Sequence, residues 1–244
     1  MKGNLLISAA FLALFTGLLA AQEVESTAPP LALNGYVPTP IISVPPVAGV
    51  SFSATVLVES EQRLGDGSRL TMKTMNLIGR DSRGRTHGES RQVMPESSKG
   101  EPALVKVVVF DPSSHVRTTY NFRTHTAEKE MAEMPRVGPS EAGPQVTTED
   151  LGDRVVEGFE TRGTRRTFTI PADRTGTGKP LAIVDEYWYS QDLQLNLMMR
   201  HSDPRTSVKT FTVTHIKREE PPVSFFELEG FKTIDAGAPG EDSQ

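Results

Sequence analysis

The stretch 180–234 constrains this chain more than any other. Three strand-like runs, 182–189, 193–202 and 207–217, alternate with two turn signals, Ser190-Gln191-Asp192 and Asp203-Pro204-Arg205. Leu195, Leu197 and Met199 fall on one side of the second run, and Phe211 and Val213 on one side of the third. A period of two is the pleat of a strand, and runs joined by tight turns pair antiparallel. Pro221-Pro222 and the aromatic pair Phe225-Phe226 then close the segment.

Upstream the same pattern repeats. From 51 onward Phe52, Ala54, Val56 and Val58 alternate with Ser53, Thr55 and Leu57, and Gly65-Asp66-Gly67 follows as a hairpin turn. The return strand carries Leu70, Met72 and Thr74 on one side and then Met75 and Leu77 on the other, which predicts a bulge near Thr74. The apolar run 103–110 predicts a central strand buried on both faces. It is followed by a turn at Asp111-Pro112 and a strand carrying Val116, Thr118, Tyr120 and Phe122. Ala127, Met131 and Met134 stand at helical spacing before Pro135 and predict one short amphipathic helix. A hairpin over 151–170 includes Phe159, Phe168 and Ile170. The expected fold is mainly β (α+β): a curved antiparallel sheet or half-barrel of about nine strands, with one or two short helices, over 51–235.

The ends read differently. Lys2, an apolar run over 5–21 and small residues at Ala20-Ala21 have the three-part layout of a secretory signal peptide over 1–21. At about 17 residues the run also sits at the short edge of a spanning helix, so cleavage after Ala21 and retention as an anchor both fit. No second apolar run of that length follows, so no transmembrane span is expected after cleavage. Residues 22–50 hold Pro29, Pro30, Pro38, Pro40, Pro45 and Pro46 and read as a Pro-rich tether, either a spacer or an edge strand docked through Val37, Ile41, Ile42 and Val44. Residues 236–244 form a polar tail.

Composition closes several routes. The 244-residue chain has no cysteine, which removes disulfides, thiolate metal sites and a cysteine nucleophile. Its net charge is −5, a poor match for phosphate-driven nucleic-acid binding. The basic stretch around Arg63–Arg91 fits the solvated outer faces of strands or a contact with an anionic surface. Arg174-Thr175-Gly176-Thr177-Gly178-Lys179-Pro180 resembles a phosphate loop but has Asp173 where a glycine is needed and Pro180 where Ser or Thr is needed. His87, His115, His125, His201 and His215 show no local metal-pair spacing, and no Gly-x-Ser-x-Gly elbow exists. Asp81, Asp111 and Asp203 occupy turn positions where a short acceptor side chain bonds the backbone. No catalytic residue, cofactor or metal is expected.

The late strands resemble a known series. Trp188-Tyr189-Ser190, 193–197, 211–216 and 222–226 are similar to the W-x-S, L-x-L and P-x-x-x-F run of the lipoprotein-localisation-factor (LolA/RseB-like) half-barrel, and 107–122 is similar to its hydrophobic strand, turn and Tyr-containing strand. The chain also resembles a group of exported bacterial proteins sharing an E-x-W-Y-S run, an S-D-P-R turn and an E-P…F-x-L finish, here 186–190, 202–205 and 220–228. The resemblance implies a strongly bent sheet partly closed by short helices, and a lipid or acyl ligand in its concavity. A single expected helix and the long tether depart from the carriers of that family.

The candidate ligand-lining positions are the inward sides of the strands. They are Val56 and Val58, then Leu70 and Met72, Val107 and Val109, and Tyr120 and Phe122. Phe168 follows, with Trp188, Leu195 and Leu197, and Phe211 and Val213 complete the set. Tyr187 and Tyr189 would reach water from the other face, leaving Trp188 inward. These positions line either a pocket or a filled core. Three functions follow: an exported, periplasmic or secreted, non-enzymatic protein that binds a lipid or acyl chain, a sensor that meets an envelope protein, or a hydrolase with an unrecognised site.

Overall fold

The computed structural model describes residues 42–132 and 146–235. The leader, most of the tether, Met134 and the tail lie outside them. Two meanders make up the described chain. The first runs β1 Phe52–Arg63, β2 Arg69–Arg80, β3 Thr86–Arg91, the two-residue β4 Met94–Pro95, β5 Leu104–Asp111, β6 Val116–Asn121 and β7 Thr126–Met131. The second runs β8 Val146–Val156, β9 Phe159–Ile170, β10 Leu181–Ser190, β11 Leu195–Asp203 and β12 Ser207–Lys217. β12 pairs antiparallel with β1 and joins the meanders into one curved open sheet. β13 Lys232–Asp235 then adds parallel to β7. The described residues thus hold thirteen strands rather than about nine.

Turn chemistry explains the hairpins. Asp66 accepts the Ser68 amide (2.9 Å), and Gly67 takes φ +84°, which costs a Cβ-less residue nothing. Asp81 accepts the Arg85 amide (2.7 Å), Asp111 that of Ser113 (2.8 Å) and Asp203 that of Arg205 (2.9 Å). These are the three turn aspartates expected from sequence.

Two expectations fail. The helix over 127–134 is absent across its described part: β7 is a strand between β6 and β13. Only Ala127 of this strand is buried, opposite Tyr120, while Met131 is 75% exposed. The i, i+4 spacing of Ala127 and Met131 did not mark a buried stripe. No bulge occurs at Thr74 either, because β1 and β2 stay in register from Phe52/Arg80 to Arg63/Arg69. Met75 and Leu77 simply face outward, so the change of parity is a change of face within one regular strand.

Two hydrophobic clusters lie on opposite faces. Phe52, Ala54, Val56, Ile78, Leu193, Leu195, Leu197, Met199, Phe211 and Val213 form the inner one. Val107, Val109, Tyr120, Ala127 and Phe226 form the outer one. The register requires this separation. Val109 pairs with His87, His87 with Gly79 and Gly79 with Ser53, whose side chain alternates with those of Phe52 and Ala54.

The segment after β12 supplies the outer cluster's cover. Glu220 accepts the Ser82 amide (3.0 Å), and a 3-10 turn at Val223–Phe225 lays Phe225 flat on His87 with ring centroids 3.9 Å apart. A Cβ on Gly79 would come within 2.6 Å of the Phe225 ring, so this approach requires glycine. Phe231 meets Tyr120 and Phe122 edge-on at 5.2 and 5.0 Å.

At the other end, residues 42–50 pack against the domain. Pro45 and Pro46 are buried, and Ile42, Val44 and Val50 touch the inner cluster without forming a strand.

Candidate functional site

The inner face is only partly filled. Between the 42–44 segment and strands β12, β1, β2, β3, β5 and β6 lies a groove of about 440 Å³. Its floor follows from the register. One row across the sheet is Val108, Gly88, Ile78; next to it Lys106 pairs with Ser90 and Asn76 with Val56, with Asn76 tied to β3 through the Arg91 amide (2.8 Å), and Val58 pairs with Phe211 beside them. Phe110 and Arg117, paired across β5 and β6, bound the far side. Gly88 has nothing within 4 Å of where a Cβ would stand, so its missing side chain leaves the middle of the groove open. The result is an apolar trough of Val56, Val58, Ile78, Val108, Phe110 and Phe211 crossed by one polar row.

The expected lining residues distribute over several places. Val56, Val58 and Phe211 line the groove. Val213, Leu195 and Leu197 are enclosed in the inner cluster beside it. Val107, Val109 and Tyr120 belong to the outer cluster, with Phe122 against it. Met72 is half-buried between Ser60 and Pro95, and Phe168 is half-buried on β9 opposite Ile183. Leu70, near the hairpin tip, is 37% exposed.

Trp188 is half-buried rather than enclosed. Tyr187, not Trp188, pairs with Met199, which pairs with Phe211. The indole lies over Gly163, where a Cβ would come within 2.6 Å, and the Arg154 guanidinium stacks on it at 4.0 Å. A register slip between Trp188 and Tyr189 bends β10 there, and both Tyr187 and Trp188 reach the inner cluster. Burial pushes the Tyr187 hydroxyl up to about 12.

The sequence pattern missed Ile78, Gly88, Val108, Phe110 and the polar row. In β5 the apolar residues occupy both parities, so periodicity could not say that Val108 and Phe110, not Val107 and Val109, face the groove.

Apart from Lys106, the titratable groups that line the groove are engaged elsewhere. Glu89 accepts from Arg91 Nε (2.7 Å) and the Leu77 amide (3.2 Å), and Arg117 pairs with Glu130 (3.1 Å). His87 donates Nδ1–H to the Phe225 carbonyl (2.5 Å) on the outer side, and burial lowers its pKa. Across the inner face, His201 Nδ1 meets Asp185 at 2.6 Å. Among the described residues no cluster of three or more His, Cys, Asp or Glu could hold a metal, and no helix is long and apolar enough to cross a membrane.

Fold and groove together define a class: a mainly β protein whose open, curved sheet carries an apolar trough on its inner face. No protein-family model matches the chain, and no curated protein matches it. Among solved structures it is similar to an uncharacterized conserved protein from Thermus thermophilus, at 12% identity and a TM-score of 0.43 over 77% of this chain and 91% of that one. It is also similar to the MucA/MucB complex structure of Pseudomonas aeruginosa, at 14% identity and 0.41, covering 72% of this chain and 55% of that one. A LolA superfamily protein from Nitrosomonas europaea matches at 10% and 0.32, over 75% and 92%. The neighbours thus include the superfamily that the late strands resemble. At these scores the likeness carries no argument about function, which rests on the groove.

Proposed function

We propose that this chain is an exported, non-enzymatic binding protein that holds a lipid or acyl chain in the inner groove. The observation that carries the proposal is the open apolar floor around Gly88. Its volume lies in the usual range of small-molecule sites, about 300–1,000 Å³. An apolar trough gains free energy from any chain that displaces its water, at about 25 cal/mol per Å² covered.

Gly88→Leu tests this directly. The new side chain enters open space on a strand, so the fold is kept, and it occupies the floor. Titration with the neutral probe N-phenylnaphthylamine should show enhanced emission with the parent chain and little with Gly88→Leu, and native mass spectrometry should find co-purifying lipid on the parent chain only. Equal probe binding by both chains sinks the proposal.

A protein-contact function is favoured by a separate surface. Met75 (47% exposed) and Leu77 stand on the outer face beside Met94, Pro95 and Pro102. Met75→Asp would weaken such a contact and leave probe binding intact.

A further inference from the structure

We infer that the ligand is an amphiphile with an anionic head, and that Lys106 with the polar residues behind it reads that head. This rests on the groove being a ligand site. Lys106 stands at the solvent end of the row Lys106, Ser90, Asn76. It has no ion pair or hydrogen bond among the described residues, while the other cation of the groove, Arg117, is paired with Glu130. The Asn76 carbonyl Oδ1 is committed to the Arg91 amide at 2.8 Å, which leaves its NH2 donors for the groove. The Ser90 hydroxyl is likewise unengaged. Glu89, the one carboxylate among the groove's lining residues, lies on the opposite pleat and is held by Arg91, and Glu130 at the groove's far side is held by Arg117.

The row therefore offers an ammonium, a hydroxyl and an amide NH2, with no acceptor-only group among them. A carboxylate or a phosphate, which only accepts, satisfies all three. A hydroxyl head satisfies them less well, and a quaternary ammonium is repelled. From Asn76 the row runs straight into Val56, with Val58 and Phe211 next to it, so a head at Lys106 directs its tail into the trough.

Displacement of N-phenylnaphthylamine by decanoic acid, decyl phosphate, decanol and decyltrimethylammonium tests the inference. Either anion should bind about tenfold or more tighter than decanol, as one charge-assisted hydrogen bond allows. The ratio between the two anions tells a carboxylate head from a phosphate head. Lys106→Gln should bring the anions down to the level of decanol, and Lys106→Glu should favour the ammonium. Lys73→Gln, which removes a lysine from the other face of β2, should leave the ranking as it was. Equal displacement by all four, or a ranking that survives Lys106→Glu, overturns the head assignment and leaves the groove in place. Displacement by none of them overturns both.

Discussion

Arg80 is the sharpest test of how this domain is held together. It lies at the end of β2, fully buried, and among the described residues no carboxylate pairs with it. Its Nε donates to the Val50 carbonyl (2.8 Å), Nη1 to Pro45 (2.7 Å) and Nη2 to Leu193 (2.7 Å), and the guanidinium lies 5.2 Å from the Phe52 ring. It therefore ties the 42–50 segment and the β10–β11 turn to the inner cluster. Burial pushes its pKa down, yet an arginine stays charged. Hydrogen bonds to a charged group contribute about 1.5–3 kcal/mol each, so the three sum to roughly 5–9 kcal/mol. Desolvating the guanidinium offsets several kcal/mol of that. Arg80→Met, which refills most of the volume and orphans three carbonyls, should then cost about 3 kcal/mol. In a domain of this size that lowers Tm by roughly 6–12 °C. Arg80→Lys should recover only part of it, because one ammonium cannot span three carbonyls. Thermal unfolding followed by circular dichroism reads the shift, and limited proteolysis should show faster cutting within 42–50. A Tm within about 2 °C of the parent would refute the clamp.

Deleting 42–50 should also lower Tm by more than about 5 °C, since Pro45, Pro46 and their carbonyl contacts go with it; an unchanged Tm would make the segment a passive spacer. His87 is buried in its neutral form with its pKa below the usual value of about 6.5, so below that pH the unfolded chain binds the extra proton. Its contribution is complete above about pH 6.5 and is lost as pH falls toward the lowered folded value. Urea midpoints at pH 7.5 and 5 should diverge less in His87→Phe, and equal divergence would contradict this. Gly163→Ala should destabilise by about 1–3 kcal/mol and shift the emission of the single tryptophan, because the methyl would meet the indole at 2.6 Å and Leu151 at 2.8 Å; a silent variant would mean that Trp188 moves freely.

Most strands of both meanders and most of their turns were legible in the chain, because their signals are local. They are period two along 52–58, 195–199 and 211–213, Asp66-Gly67 at one hairpin, and Asp81, Asp111 and Asp203 bonding amides two to four residues on. Three of the groove's apolar residues, Val56, Val58 and Phe211, could be read for the same reason. The rest depended on contacts between distant segments. Residues 126–131 became a strand because β6 and β13 pair with both of their edges, which no local spacing encodes. Residues 42–50, read as a spacer or a docked edge strand, pack without forming a strand because a buried arginine some thirty residues away binds their carbonyls. Which side of β5 faces the groove was also undetermined, since Val107 to Phe110 are apolar at every position and a pleat gives two faces without naming the concave one. That choice was made by the β1–β12 pairing and by Phe225 and Phe226 folding back over the outer face, contacts between residues more than a hundred positions apart.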